Sequence, residues 1–139
     1  MKTFLYRHFG FGKIPEALRN QLETEGLRML DEGIKSSITY INFSAPGKRF
    51  YWKRKWFTGS IALTKTRLAA LWRSKPIINI PLTDERLGKV RFEQEENGAF
   101  LIVHDATLFH SDWSGTIEYR FRMEQAQTFL DMLRQRIRK

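Results

Sequence analysis

The sequence predicts a mainly β domain of the α+β class, in which seven strands are preceded by a short helix and followed by a longer one. Two observations lead there. From residue 34 to residue 121, β-branched and aromatic residues recur in short runs separated by turn residues at spacings of about 10, the pattern of an all-β sandwich or barrel. After Met123 the hydrophobic period changes from two to that of a helix, and the chain ends on it.

The first helix is predicted from Pro15 to about Glu25. A proline at its first position loses no needed hydrogen bond, and Glu16 suits the positive end of the dipole. Leu18 and Leu22 give it one apolar stripe, and Gly26 is placed to end it. The strands follow at Ile34–Phe43, Trp56–Thr64 and Leu68–Arg73, the last two joined by Lys65-Thr66. Ser74-Lys75-Pro76 turns the chain into a fourth strand, Ile77–Leu82, and a polar connection over Thr83–Gly88 leads to a fifth, Lys89–Gln94. Asn97-Gly98 is the strongest hairpin signal, since both residues tolerate positive φ, and it introduces the sixth strand, Ala99–Asp105. A loop with His110, Trp113 and Gly115 precedes the seventh, where Ile117, Tyr119 and Phe121 face one way and Glu118, Arg120 and Arg122 the other. In the final helix Ala126, Phe129, Leu130, Leu133 and Ile137 form one face, and Arg134, Arg136, Arg138 and Lys139 complement the dipole in its last turns.

Composition narrows the function. The chain has 139 residues, 24 Lys and Arg against 15 Asp and Glu, and a net charge of +9. Such a length builds one core, burying roughly 70% of the extended surface, so residues 1–26 form an N-terminal segment with the short helix and residues 27–139 the domain, one globular unit together. A hydrophobic content of 42% with 11 Phe, 4 Trp and 4 Tyr excludes an intrinsically disordered chain. Zero cysteines remove disulfides, thiolate zinc sites and thiol catalysis, and fit a reducing compartment. Arg7, His8 and Lys13 interrupt the apolar stretch of the first residues, which is therefore expected to be retained rather than cleaved as a signal peptide. No stretch approaches the roughly 20 apolar residues of a spanning helix, so the expected place is the cytoplasm or the periphery of the inner membrane surface.

Seven strands and one C-terminal helix, in this order, would let the helix cap an open end of a bent antiparallel barrel. This arrangement resembles the pleckstrin-homology (PH) superfold. Within it, the stretch from Gly59 to Trp72, GSIALTKTRLAALW, is similar to the GRAM and bacterial PH-like families, which carry a G-x-apolar-x-apolar-T-x-x-R-apolar hairpin. Residues 78–82, INIPL, resemble the strand that follows it there. The resemblance covers about residues 27–139 and implies a non-enzymatic module that binds anionic lipids in some members and protein partners in others. For Thr64 and Arg67 it implies a structural turn.

The sharpest local feature is the run from Lys48 to Phe57, KRFYWKRKWF, with five cations and no acid. It is expected to be a loop between the first two strands, the loop that holds the headgroup in lipid-binding PH domains, so Lys48, Arg49, Lys53, Arg54 and Lys55 are the matching positions. Each cation near an anionic bilayer gives about 1 kcal/mol, so five give roughly 5, only sub-millimolar binding. Phe50, Tyr51 and Trp52 are expected to add the rest by settling at headgroup level. The competing reading makes Trp56 and Phe57 core residues and the cations a solvated face. The alternative function is a protein-interaction module whose partner docks on a strand edge or on Phe4, Tyr6, Phe9 and Phe11. Nucleic acid, with cations on phosphates and rings on bases, ranks below both, because no RNP motif, helix-turn-helix or zinc knuckle accompanies the charge. Arg7, Lys13, Lys65, Arg73 and Lys75 could widen any such patch.

Chemistry has weaker signals. His104-Asp105 and His110-Ser111-Asp112 invite a metal site or a Ser/His/Asp constellation, yet nothing like G-x-S-x-G surrounds Ser111, and hydrogen bonding to backbone is the simpler role for such residues. Phe9-Gly10-Phe11-Gly12-Lys13 lacks the spacing of a phosphate loop. No cofactor, metal or catalytic residue is assigned.

Overall fold

The computed structural model of the chain describes residues 14–137. Phe4, Tyr6, Arg7, His8, Phe9, Phe11, Lys13 and the segment around Gly10 and Gly12, with Arg138 and Lys139, lie outside the described residues. The fold is a single antiparallel sheet of seven strands curled into a half-barrel. Helix α1, Glu16–Thr24, precedes strands β1, Leu27–Ala45, β2, Lys48–Thr64, β3, Arg67–Trp72, and β4, Lys75–Pro81. Strands β5, Arg91–Gln94, β6, Phe100–Asp105, and β7, Ser114–Phe121, follow, and helix α2, Ala126–Ile137, closes the chain. The strand order is β4-β3-β2-β1-β7-β6-β5, so the long β1 is shared between the first four strands and the last three.

That sharing requires β1 to bend. Its register against β2 shifts between Leu27 and Met29 and again between Asp31 and Ile34, where Gly33 takes φ +68°. Its register against β7 shifts between Ile41 and Ser44, with Asn42 at φ +49°. Extra residues of this kind increase local twist and curl a sheet. They also explain why the strand begins at Leu27 and not at the expected Ile34: the shifts put consecutive residues on one face and hide the two-residue alternation.

Both faces of β3 and of the part of β2 it pairs with, Gly59–Leu63, are covered, which accounts for their nearly continuous apolar sequence. Leu63, Leu68 and Ala70 point into the main core with Phe100, Phe121, Phe129 and Leu133. Ala62, Ala69 and Leu71 point the other way, against Ile14, Leu18 and Leu22 at the start of the chain. Helix α2 supplies Ala126, Phe129, Leu130 and Leu133 to the main core, the predicted face. Fully burying one such side chain contributes roughly 1.5–3 kcal/mol.

Local signals are realised where they are short-range. Pro15 stands at the N-terminal cap of α1, and Gly26 just past its end has φ +84°. Gly98 has φ +89° in the turn joining β5 to β6, and its N–H bonds the Glu95 carbonyl at 2.9 Å. The expected polar connection contains a 3₁₀ turn, Glu85–Lys89, capped by the Asp84 carboxylate. Thr64 and Arg67 are structural: the Thr64 hydroxyl accepts from the Thr66 N–H at 3.1 Å, and the Arg67 guanidinium binds Glu25 at 2.9 Å and Asn79 at 3.0 Å.

One expectation is overturned. Residues 48–55 are not a loop; they are the first half of β2, paired residue for residue with β1 from Ala45↔Lys48 to Ile38↔Lys55. The connection is only Pro46-Gly47, and Gly47, at φ +77°, makes the turn. The charges disguise a strand because β3 pairs with β2 only at Gly59–Leu63, which leaves Lys48–Phe57 as an edge. Edges are where strands carry lysines and little apolar alternation.

Candidate functional site

The β1–β2 hairpin sorts the five predicted cations by strand parity. Lys48 and Arg49 stand exposed beside the turn. Lys53 and Lys55 face inward, opposite Tyr40 and Ile38, and the ammonium of Lys53 lies 4.6 Å from the Phe50 ring centre while that of Lys55 lies 5.8 Å from the ring of Tyr40. Arg54 faces outward, opposite Thr39, whose hydroxyl accepts from its Nε at 2.8 Å. Its guanidinium also lies 5.3 Å from the Trp52 ring centre. The structure therefore brings Lys53 and Lys55 together, keeps Lys48 and Arg49 at the end of the hairpin, and puts Arg54 on the other face.

The aromatic residues divide likewise. Phe50 is half-buried, 5.3 Å from Tyr40 and 6.0 Å from Phe43 between ring centres, and serves the hairpin's own packing. Burial raises the pKa of the Tyr40 hydroxyl, which stays neutral. Tyr51 is 86% exposed, Trp52 56% and Trp56 55%. Trp56 is thus no core residue, whereas Phe57 is buried and stacks on Trp72 at 4.6 Å. Among the described residues, the large exposed apolar side chains all sit on this one strand.

Near the hairpin end, the β6–β7 connection comes alongside. Trp113 packs edge-on to Phe43 at 5.3 Å, and His110 stacks on Trp113 at 3.6 Å. Tyr40, Phe43, Phe50, Lys48, Asp112 and Trp113 line a cleft of about 280 Å³. His104 sits apart, buried on β6, with Nδ1 and the Asp105 carbonyl 2.7 Å apart. Burial lowers its pKa, more than the neighbouring carbonyl and Asp105 raise it. Neither histidine joins a metal cluster: among the described residues no three His, Asp or Glu side chains are grouped to hold an ion.

A second constellation lies on the outer face, at the middle of β1. Lys35, Ser36 and Ser37 of β1, Arg54 and Trp56 of β2, Arg120 of β7 and Arg122 beyond it surround a groove of about 300 Å³, closed at one side by Glu95, Asn97 and Ala99. Arg120 donates to Glu95 at 2.9 Å and to Glu118 at 2.9 Å. Burial opposes its charge, yet the hydrogen bonds to Glu118 and Glu95 hold its pKa above the ordinary value. Sequence alternation already put Arg120 and Arg122 on a polar face. Their meeting with Lys35 and Arg54 depends on β1–β7 pairing, for which no local signal exists.

No helix among the described residues is long and apolar enough to cross a membrane. Compared with known proteins, the chain matches no family model and no curated relative. Its architecture, a seven-stranded antiparallel half-barrel with a C-terminal helix, is compatible with the PH-like fold.

Proposed function

We propose that this chain is a PH/GRAM-like binding module, acting without catalysis, that docks on anionic phospholipid surfaces through the basic-aromatic edge of β2. One observation carries the reading: Tyr51, Trp52 and Trp56, the large exposed apolar side chains among the described residues, lie on the same strand as Lys48, Arg49, Lys53, Arg54 and Lys55. Strand order and the C-terminal helix support the superfold, and the GSIALTKTRL hairpin supports the family.

The two kinds of residue do different work. Lys48, Arg49 and Lys53 are exposed, Lys53 over the Phe50 ring, and can reach lipid phosphates, giving about 1 kcal/mol each and so about 3 together, which is only millimolar binding. Tyr51 and Trp52 add apolar contact at the level of the headgroups, where amphipathic rings are favoured. Placed on a hairpin rather than in a flexible loop, these side chains lose less entropy on docking. The membrane-peripheral location follows from the same reading.

The test is co-sedimentation of the full chain with neutral and with anionic vesicles at physiological salt. Selective capture by anionic vesicles that is lost in Lys48→Glu with Lys53→Glu, while the melting temperature is kept, is the expected result. Equal binding to both vesicles, or none, would sink it. A second reading is favoured by the unpaired edge of β2 from Lys48 to Phe57: a protein partner adds a strand there. In that case partner capture survives the two charge reversals and fails on Trp56→Pro.

A further inference from the structure

The outer-face groove is built differently from the hairpin end. Two guanidinium groups converge on one hydroxyl, Arg54 Nε at 2.8 Å and Arg120 Nη1 at 3.5 Å from Thr39 Oγ1. Arg120 is neutralised by Glu95 and Glu118, and its part is to hold the wall. Arg54, Lys35 and Arg122 have no carboxylate partner among the described residues. Lys35 is nonetheless held in place, its ammonium 4.9 Å from the Trp56 ring centre, and its carbonyl accepts from the Arg122 N–H at 3.1 Å. On the floor stands Ser37, 0% exposed, whose hydroxyl has no hydrogen-bond partner. Buried hydroxyls are seldom left so, and this one lines a groove in which three cations have no carboxylate partner. The Asn97 side chain is at the rim, with its Oδ1 taken by the Ala99 N–H at 3.0 Å, which turns its amide N–H groups free.

Every unused group in this set can donate a hydrogen bond, and the charge left over is positive. We infer that the groove is a second anion site, one that takes a phosphate group carried on a small molecule or lipid. Arg54 and Arg122 offer planar forks that match two phosphate oxygens, Lys35 a point charge, and Ser37 a hydroxyl donor to a third oxygen. A groove of about 300 Å³ reaches the lower range of ligand pockets, so it has room for the group that bears the phosphate as well. The centre of the site, at the Ser37–Trp56 pair, is about 30 Å along the hairpin from the Pro46-Gly47 turn, at the rise of a strand. It shares Arg54 and Trp56 with the edge of β2 but none of Lys48, Arg49 and Lys53, so it stands or falls apart from docking by those three cations.

The experiment uses the full chain, labelled with ¹⁵N and titrated with inorganic phosphate at constant ionic strength, chloride serving as the reference anion. Saturable shifts at the amides of Lys35, Ser37, Asn97 and Arg122 are expected with phosphate and absent with chloride. In Lys35→Gln with Arg122→Gln, both exposed side chains whose loss leaves the core intact, affinity should fall at least about tenfold. Vesicles containing phosphatidate then distinguish the sources. If the double variant weakens vesicle capture as well, the phosphate is a lipid's; if only the phosphate titration suffers, it is a soluble ligand's. Absence of saturable shifts at these amides, or shifts that the double variant leaves unchanged, overturns the site. Lys48→Glu with Lys53→Glu, which tests the hairpin end, should leave the phosphate titration intact.

Discussion

Arg19 on α1 reaches Glu32 on β1 at 2.6 Å, and the carboxylate it meets is completely buried. The other oxygen of Glu32 accepts from the Ile14 N–H at 2.8 Å, so one side chain fastens both the start of α1 and the helix itself to the sheet. Together with Ile14, Leu18 and Leu22 packing on Leu30, Ala62, Ala69 and Leu71, this makes α1 a cover for the outer face of the first strands.

Glu32→Ala should therefore lower stability by about 3 kcal/mol, because a buried pair loses one member while its partner keeps the charge. Urea denaturation measures the loss, and hydrogen exchange should place it first at the amides of α1. A change below about 1 kcal/mol would mean that apolar packing alone holds the helix.

Gly59, which opens the GSIALTKTRL hairpin, has no room for a side chain. A Cβ there would lie 2.7 Å from the Ser36 hydroxyl, 2.8 Å from the Phe57 ring and 3.1 Å from the Leu71 carbonyl. Gly59→Ala is expected to destabilise by about 2 kcal/mol through displacement of β1 and the Phe57–Trp72 stack, with an unchanged denaturant slope. An unaffected midpoint would refute the crowding argument.

The burial of His104 predicts a stability that depends on pH. Its burial lowers the pKa in the folded state, so below neutrality the unfolded chain binds the proton more readily. The contribution of the neutral ring is complete above the unfolded value of about 6.5 and is lost as pH falls through it toward the folded pKa. The melting temperature should drop between pH 7 and pH 5, and His104→Phe, which keeps the T-shaped contact with Phe109, should flatten that slope. An identical slope in the variant would move the effect to other groups.

Membrane docking by the edge of β2 predicts a split between charge and ring. Trp52→Ala should weaken capture by anionic vesicles roughly tenfold and persist as a defect at high salt, since it removes apolar contact. Lys48→Glu should weaken it at low salt and converge with the wild type as screening grows. Salt series of vesicle binding decide this, and identical salt dependence of the two variants would contradict the division of roles.

How much of this was written in the sequence can be judged residue by residue. The stripe on α2, the glycines at 26 and 98, and the alternation of Ile117, Tyr119 and Phe121 were legible because each reports a local geometry, a period or a positive φ, that neighbouring residues alone dictate. The beginning of β1 was not legible, since its register shifts break the alternation a strand is read by. The strand from Lys48 to Lys55 was misread because it lies on an edge, where five cations are tolerated without a buried face to mark the period. Composition and order thus determined a β domain closed by a helix, with its inward faces and its positive charge. Only the tertiary structure decided that Lys35, Arg54, Arg120 and Arg122 meet around Ser37, across 81 residues between Thr39 and Arg120. Contacts so distant along the chain arise from which strand completes the curl of the sheet, a choice made by packing the whole core at once.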